Sequence, residues 1–258
     1  MILRKFKKLF YLSLYFFKIK KNNFNNFQDV AFEKINLNRK DGLKVLNKIR
    51  NNYSFLHSEM SSEHQVIFSS ISQNKNLKIN KILEIGTFDG SNALLLSKLF
   101  PNTKILTIDL PDDSREFRET YGRNKPSKMK IFIEKRDNNL KLCTNVKFKQ
   151  MNSIKLTYEQ DEFDLIWIDG AHGYPFVTFD ILNSLRLSNQ NVIIMCDDVI
   201  LSKVNNPDSM YFSNATINTL DILKNDKIIK YDLLLKRLET KYNYFPEEQK
   251  FIAFLKKL

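Results

Sequence analysis

Residues 81–100 have the sequence Lys81-Ile-Leu-Glu-Ile-Gly-Thr-Phe-Asp-Gly-Ser-Asn-Ala-Leu-Leu-Leu-Ser-Lys-Leu-Phe100, and this stretch decides the fold. The short apolar run at positions 82–85 predicts a strand that is buried on both faces, as in a parallel sheet. Gly86 and Gly90 predict a tight turn, because glycine accepts positive φ and lets a ligand approach the backbone. A helix is expected next, with Ser91 as its N-cap. The pattern indicates an α/β protein with a nucleotide-type site.

Acidic residues around this turn favour a cationic ligand over a dinucleotide. A dinucleotide site uses G-x-G-x-x-G, which brings bare backbone to a pyrophosphate. Here Glu84 replaces the first glycine and Asp89 lies in the loop, so both carboxylates would repel a pyrophosphate. They suit S-adenosylmethionine, which carries an ammonium and a sulfonium. Asp109 ends the next apolar run, about 20 residues beyond the turn, where a carboxylate can accept both hydroxyls of a ribose.

The pattern E-x-G-x-x-x-G followed by a strand-end aspartate resembles the class I S-adenosylmethionine-dependent methyltransferases. The resemblance implies a Rossmann-like, mostly parallel sheet of seven strands in the order 3-2-1-4-5-7-6, with helices on both faces. Asn152 stands where related enzymes often carry an acidic residue beside the adenine. The alternative is a purely structural turn in another α/β protein. The expected cofactor-binding residues are Glu84, Gly86, Thr87, Phe88, Gly90, Ser91, Asp109, Asn152 and Asp169.

Three carboxylates are expected to meet at one edge of this sheet. Asp169 ends one apolar run, and Asp197 and Asp198 end another. The implied strand order makes these runs neighbours, about 4.8 Å apart. Converging carboxylates repel one another unless a cation joins them, and hard oxygen ligands suit Mg²⁺, with Mn²⁺ or Ca²⁺ as alternatives. His172 could then act as general base on a substrate hydroxyl.

The sequence Asp-Gly-x-His-x-Tyr over residues 169–174, followed by Asp197-Asp198, resembles a group of metal-dependent small-molecule O-methyltransferases. The group includes macrocin-type enzymes and, more distantly, catechol O-methyltransferase. The resemblance implies that Asp169, Asp197 and Asp198 hold the metal and that His172 is the base. It also implies a hydroxyl acceptor on a sugar, a glycan or a natural product. The alternative is that the aspartates cap strand ends and His172 is a turn histidine.

Composition limits the partners. The chain has 258 residues, a net charge of +12 and two cysteines without metal or disulfide spacing, which favours a reducing, cytoplasmic location. The charge invites a nucleic-acid or acidic-membrane partner. However, Lys, Asn, Ile and Phe are abundant together, as an A/T-biased coding sequence produces, and no nucleic-acid motif is present. We therefore expect no nucleic-acid partner. An RNA or protein methyltransferase and a non-catalytic cofactor-binding protein remain as alternatives.

Residues 1–26 predict a helical arm, distinct from a methyltransferase domain over residues 27–258 with its core at 60–258. The arm has seven basic residues and no acidic one. Its apolar run at 9–17 is too short for a bilayer, which takes about 20 residues. Two alternatives stay open. Residues 1–24 lie on the inner face of a membrane, or the arm packs on its own domain or on a partner subunit of a homo-oligomer.

Three further predictions concern the remaining segments. His57 and His64 are expected to be surface or capping histidines. The charged residues 114–142 predict a helical excursion that either forms part of a substrate lid or is only a solvated surface. The runs 227–236 and 250–255 predict the last two strands, as the antiparallel pair that closes the sheet.

Overall fold

The computed structural model describes residues 24–53, 62–203, 207–239 and 249–258. Most of the predicted arm and His57 therefore lie outside the described residues, and the arm's membrane or subunit contacts stay predictions. None of the described helices combines the length and the apolar character needed to cross a membrane.

Seven strands form a single sheet. They are β1 Lys81–Ile85, β2 Lys104–Asp109, β3 Val146–Gln150, β4 Phe163–Ile168, β5 Ser188–Ile200, β6 Ile229–Leu235 and β7 Lys250–Lys257. Their order is β3-β2-β1-β4-β5-β7-β6, which confirms the predicted order. The first five strands pair in parallel, and β7 runs antiparallel to both β5 and β6. The carboxyl ends of β1, β4 and β5 therefore meet at one edge.

Helices cover both faces of the sheet. They are α1 Phe24–Lys34, α2 Arg39–Asn52, α3 Glu63–Gln73, α4 Ser91–Leu99, α5 Arg115–Glu119, α6 Pro126–Lys141, α7 Phe176–Arg186 and α8 Ala215–Asn225, with a 3₁₀ helix over Ser153–Tyr158. Helix α1 crosses the predicted boundary at residue 26, and the division into an arm and a domain stays a prediction. The expected N-cap at Ser91 is wrong by one residue, because Gly90 caps α4 with φ of 74°.

Two apolar cores, one on each face, hold the layers together. Alternation along a strand sends successive side chains to opposite faces. Thus Leu83 and Ile166 pack in the core with α7 and α8, whereas Ile82 and Trp167 pack in the core with α1 to α4. Each fully buried side chain of this size contributes about 1.5–3 kcal/mol to folding. Strands covered on both faces explain why the sequence shows continuous apolar runs rather than alternation.

The N-terminal helices are bonded to the end of β6. Gln28 on α1 exchanges two hydrogen bonds with the backbone of Leu235: its Nε2 donates to the carbonyl at 3.0 Å, and its Oε1 accepts from the amide at 2.9 Å. Arg39 Nε donates to Glu63 Oε2 at 2.7 Å, and Arg39 Nη1 donates to Asp29 Oδ1 at 3.0 Å. All these side chains except Asp29 are buried. Helices α1 to α3 are therefore fixed against the strand that precedes Lys236.

Candidate active site

The turn after β1 is packed between the ends of β2 and β4. Gly86 has φ of 101°, and a Cβ at this position would lie 2.3 Å from the carbonyl oxygen of Asp169. Its amide donates to the carbonyl of Ile108 at 2.9 Å. Thr87 Oγ1 lies 2.6 Å from Thr107 Oγ1 on β2. The glycine therefore brings the turn against the residue that follows β4, and only glycine fits there.

We expect Gly86→Ala to lower the free energy of unfolding by more than about 2 kcal/mol, because it adds a backbone clash to positive-φ strain. Urea unfolding measures the change. The matched control is Gly122→Ala, which shares the strain with φ of 70° but meets only the flexible Lys128 side chain, at 3.4 Å or beyond. Equal losses in the two variants would contradict the close approach of Gly86 to Asp169.

Asp109 at the end of β2 has its carboxylate oriented by the backbone. Its Oδ2 accepts from the amide of Phe88 at 2.8 Å, and its Oδ1 accepts from the amide of Leu110 at 2.8 Å. Burial raises the pKa of Asp109, while these two amides lower it. Each oxygen keeps a lone pair for a further donor. The arrangement suits two neighbouring hydroxyl groups, as expected for the ribose contact.

Asn152 follows the end of β3, the strand that pairs with β2. The amide of Met151 donates to the carbonyl of Asp109 at 2.7 Å, so the chain turns directly beside the end of β2. The Asn152 Oδ1 accepts from the amide of Ile154 at 3.0 Å and caps the 3₁₀ helix. The predicted adenine contact is placed at the expected edge of the sheet, and the role of Asn152 stays a prediction.

The other two carboxylates of the turn are bonded within the chain. Glu84 is fully buried, and it accepts from Asn92 Nδ2 at 2.7 Å and from Thr107 Oγ1. Asp89 accepts from the amide of Ser91 at 3.1 Å and pairs with Lys135 at 2.8 Å. The expectation that both carboxylates face a cationic ligand therefore does not describe Asp89, which is bonded to Ser91 and Lys135. The cofactor roles of Glu84 and Ser91 stay predictions.

Glu84 should make stability depend on pH. Burial raises its pKa to about 7 from 4.5, against the hydrogen bonds from Thr107 and Asn92, which lower it. Between these two values the folded chain holds a proton that the unfolded chain has lost. The free energy of unfolding therefore falls by roughly 3 kcal/mol as pH rises through this window, and it stays low above it. We expect Glu84→Gln to remove this fall.

The measurement is urea unfolding at pH 5 and at pH 8, with the exposed Glu116→Gln as the matched control. Glu116→Gln should show the same difference between the two pH values as the wild type. A Glu84→Gln variant with an unchanged pH difference would contradict the protonated, buried state of Glu84.

The structure brings the predicted acidic residues together around His172. His172 Nε2 lies 3.7 Å from Asp169 Oδ1 and 3.8 Å from Asp198 Oδ2. The pairing of β5 with β7 shifts register between Cys196 and Val199, and Asp198 has φ of 53°. Successive strand residues normally point to opposite faces, and a bulge re-aims a side chain. This irregularity lets both strand-end carboxylates reach one point.

A lysine ammonium lies at that point. Lys236 Nζ donates to Asp197 Oδ2 and to Asp198 Oδ1, and Lys250 Nζ donates to Asp198 Oδ2. Burial alone would lower the pKa of Lys236, but the two carboxylates outweigh it and raise that pKa above its ordinary value. Burial and the charges of Asp197 and Asp198 raise the pKa of Asp169 well above its ordinary value. The cluster therefore already contains its own cations.

These residues do not fit the predicted divalent metal. Within the described ranges, no group of three or more His, Cys, Asp or Glu side chains could hold a metal ion. Asp197 Oδ1 is buried without a hydrogen-bond partner among the described residues, but one oxygen falls short of the six or more that Mg²⁺ or Ca²⁺ takes. A divalent ion about 3 Å from the Lys236 ammonium would meet roughly 10 kcal/mol of repulsion at an effective dielectric constant near 20. The magnesium prediction is not supported.

Aromatic side chains form a wall beside this cluster. The ring of Tyr121 lies 5.1 Å from that of Phe88 and 5.3 Å from that of Tyr211, edge to face in both cases. These three rings, here called the aromatic wall, are between 41% and 59% exposed. Partial burial raises the pKa of Tyr121 to about 12, with contributions from Tyr211, Asp169 and Asp198. The segment after α5 and the loop after β5 thus meet above the acidic residues.

Sequence reasoning missed Lys236, Lys250 and the place of His64. The expectation of a surface or capping histidine is wrong for His64, which stacks on Trp167 at 5.2 Å, and burial lowers its pKa to about 4. Lys236 carries one signal in the sequence: it is the last residue of the run 227–236, which predicts the edge strand that closes the sheet. No local pattern shows that it meets residues 38 and 39 positions earlier in the chain.

Comparison with known proteins agrees with the geometry. Residues 83–199 match the family described as "Methyltransferase domain". None of the curated proteins matches the sequence significantly.

Solved structures share the fold at low sequence identity. A protein assigned as an O-methyltransferase from Klebsiella pneumoniae is 16% identical, covers 83% of this chain and 89% of its own, and has a TM-score of 0.54. TomG is an O-methyltransferase of tomaymycin synthesis from Streptomyces achromogenes, solved in complex with SAM. It is 14% identical, the match covers 95% of this chain and 94% of TomG, and the TM-score is 0.52. The N-methyltransferase NodS from Bradyrhizobium japonicum is 12% identical, the match covers 76% of this chain and 94% of NodS, and the TM-score is 0.50.

Two of these structures are described as O-methyltransferases and one as an N-methyltransferase. The fold alone therefore does not select the acceptor atom. The strand order and the match over residues 83–199 nevertheless agree with the motif-based resemblance. Residues 83–199 match a methyltransferase-domain family, and the chain has the fold of the class I S-adenosylmethionine-dependent methyltransferases, as its motifs predicted.

Proposed function

We propose that this chain is an S-adenosylmethionine-dependent methyltransferase that transfers a methyl group to a hydroxyl oxygen of a sugar, a glycan or a natural product. One observation carries the proposal. The glycine turn and the His172 cluster lie at the same sheet edge, with Gly86 packed directly against Asp169. A ligand held by Asp109 and the turn would therefore lie next to the imidazole. The predicted divalent metal takes no part in the mechanism below.

S-adenosylmethionine, when bound, supplies a sulfonium methyl group that is already activated for transfer. The chain then has to orient the acceptor oxygen in line with that methyl group and to remove one proton. Burial lowers the pKa of His172, although the charges of Asp198 and Asp197 raise it. The imidazole is therefore uncharged at neutral pH and can accept a proton.

His172 Nε2 would accept the proton of the acceptor hydroxyl during transfer and would become an imidazolium. The glycine turn and Asp109 would hold S-adenosylmethionine, which would supply the methyl group. Asp198, whose Oδ2 lies 3.8 Å from Nε2, would stabilise that imidazolium.

The aromatic wall supports an acceptor with a flat or apolar face. Phe88, Tyr121 and Tyr211 present partly exposed rings beside the carboxylates. Rings of this kind contribute a large contact area, and a tyrosine hydroxyl adds a polar contact. Sugars and aromatic natural products both offer such a face together with a hydroxyl group.

The experiment is a transfer assay with methyl-labelled S-adenosylmethionine and a panel of glycans, hydroxylated natural products, RNA and protein. We expect label on an oxygen of a glycan or natural product, as an ether that resists mild base. Label on RNA or protein, or on a nitrogen, would replace this proposal with the corresponding alternative. Cofactor binding without transfer to any member of a broad panel would favour a non-catalytic role.

A further inference from the structure

We propose that the Lys236 ammonium is a permanent replacement for a divalent cation in this site, so that methyl transfer proceeds without a bound metal. The inference rests on the proposed function for its catalytic consequence. Its structural part rests on the contacts of Lys236 and Lys250 with the two carboxylates.

The ammonium is at the point where the sequence predicts a metal ion. It donates to one oxygen of Asp197 and to one oxygen of Asp198, which are the two carboxylates expected as metal ligands. Lys236 is 4% exposed, and its partner Asp197 is 3% exposed. An ion pair at this depth is not a chance surface contact. It pairs with one buried and one partly buried carboxylate, which would otherwise repel each other.

Both backbone polar groups of Lys236, its amide and its carbonyl, are hydrogen-bonded. The amide of Lys236 donates to the carbonyl of Lys250 at 3.0 Å, and its carbonyl accepts from the amide of Glu63 at 2.8 Å. The preceding residue, Leu235, is bonded twice to Gln28. Strand β7 and helices α1 and α3 therefore fix the point from which the side chain reaches Asp197 and Asp198. The position of the ammonium is therefore set by backbone hydrogen bonds to the described strands and helices.

A second lysine completes the charge balance. Lys250 Nζ donates to the other oxygen of Asp198 and lies 3.4 Å from the carbonyl oxygen of Tyr211. Two ammonium groups thus face the carboxylates of Asp197 and Asp198. Both Asp198 oxygens are occupied, and a metal would have to displace two lysines to use them. Lys250 therefore contacts both the charged cluster, through Asp198, and the aromatic wall, through the carbonyl of Tyr211.

The consequence for catalysis is that Lys236 is a positioning residue. It orients Asp198, which in turn lies 3.8 Å from His172 Nε2. A site of this kind holds the base and its carboxylates without chelating the acceptor. It therefore does not require two neighbouring hydroxyl groups on the acceptor, as chelation by a metal would, and a single hydroxyl beside the aromatic wall suffices.

The test is a titration of the full-length chain with Mn²⁺, followed by the loss of the free Mn²⁺ signal in electron paramagnetic resonance. The variants are Lys236→Ala and, as the matched control, Lys230→Ala, an exposed lysine on β6, the strand that Lys236 follows. We expect the wild type and Lys230→Ala to leave Mn²⁺ free. Lys236→Ala vacates the space between two carboxylates and should bind Mn²⁺ at least about tenfold more tightly.

Two outcomes would overturn the proposal. One is a wild-type chain that binds Mn²⁺ with an affinity that Asp197→Asn removes. The other is a folded Lys236→Ala variant that gains no affinity for Mn²⁺. If removal of the buried ammonium prevents folding, the wild-type titration with Asp197→Asn still decides, because it needs no lysine variant.

The titration uses neither cofactor nor acceptor, so its result is separate from the proposed function. If the chain fails to bind S-adenosylhomocysteine in calorimetry, the proposed methyl transfer is contradicted. The result of the Mn²⁺ titration is unaffected. Once an acceptor is known, turnover in excess EDTA should match turnover in buffer alone. Loss of turnover in EDTA, restored by Mg²⁺, would contradict a reaction without metal.

Discussion

Replacement of His172 by alanine is expected to lower kcat by about 100- to 10,000-fold, because a general base contributes on this scale. The affinity for S-adenosylmethionine should stay within about twofold, since the predicted cofactor contacts on the turn and on Asp109 do not involve this side chain. The reason is geometric: His172 Nε2 lies between Asp169 and Asp198 and is the proton acceptor in the proposed transfer. Single-turnover transfer of a labelled methyl group measures the step directly.

A control separates loss of the base from loss of packing. Added imidazole should restore part of the activity of His172→Ala, because it replaces the missing base in the space left by the side chain. A merely structural defect would not respond. A His172→Ala variant that keeps kcat within tenfold of the wild type would show that another group removes the proton.

Replacement of Asp109 by alanine is expected to weaken cofactor binding by at least about 100-fold. Two hydrogen bonds to a charged carboxylate contribute about 1.5–3 kcal/mol each, and every 1.4 kcal/mol is a factor of ten. The carboxylate is held by the amides of Phe88 and Leu110, so its oxygens are oriented before a ligand arrives. Calorimetric titration with S-adenosylhomocysteine gives the affinity.

The matched control is Asp113→Ala, an exposed aspartate a few residues further along the chain, which should bind as the wild type does. Circular dichroism verifies that Asp109→Ala is folded, because the two amides lose their acceptor in this variant. A folded Asp109→Ala chain with unchanged affinity would place the ribose elsewhere. The glycine turn would then be structural, as the alternative interpretation of the sequence holds.

Local sequence patterns predicted the sheet because each strand is a contiguous apolar run that can be recognised without its partners. Each apolar run that ends in an acidic residue, such as the run that ends at Asp109 or at Asp169, forms a strand with its carboxyl end at the same edge. The glycine turn sets the first crossover. The antiparallel closing pair follows from two runs near the C-terminus, and β6 and β7 lie within about two residues of the predicted positions.

Side-chain pairing across the sheet was not predictable in the same way. The contact of Lys236 with Asp198 depends on the register of β7 against both β5 and β6 and on the irregularity in β5. Asp89 looked like a ligand-facing carboxylate, but it pairs with Lys135 on a helix whose packing no local pattern gives. These contacts decide the charge that a ligand meets, and so they decide the chemistry.

The central claim is that the turn after β1 and Asp109 form a site for S-adenosylmethionine. Calorimetric titration of the wild-type chain with S-adenosylmethionine in excess EDTA tests it most directly. The account predicts saturable binding at one site per chain, unaffected by EDTA. A titration without binding heat, supported by an absence of any thermal shift, would contradict it.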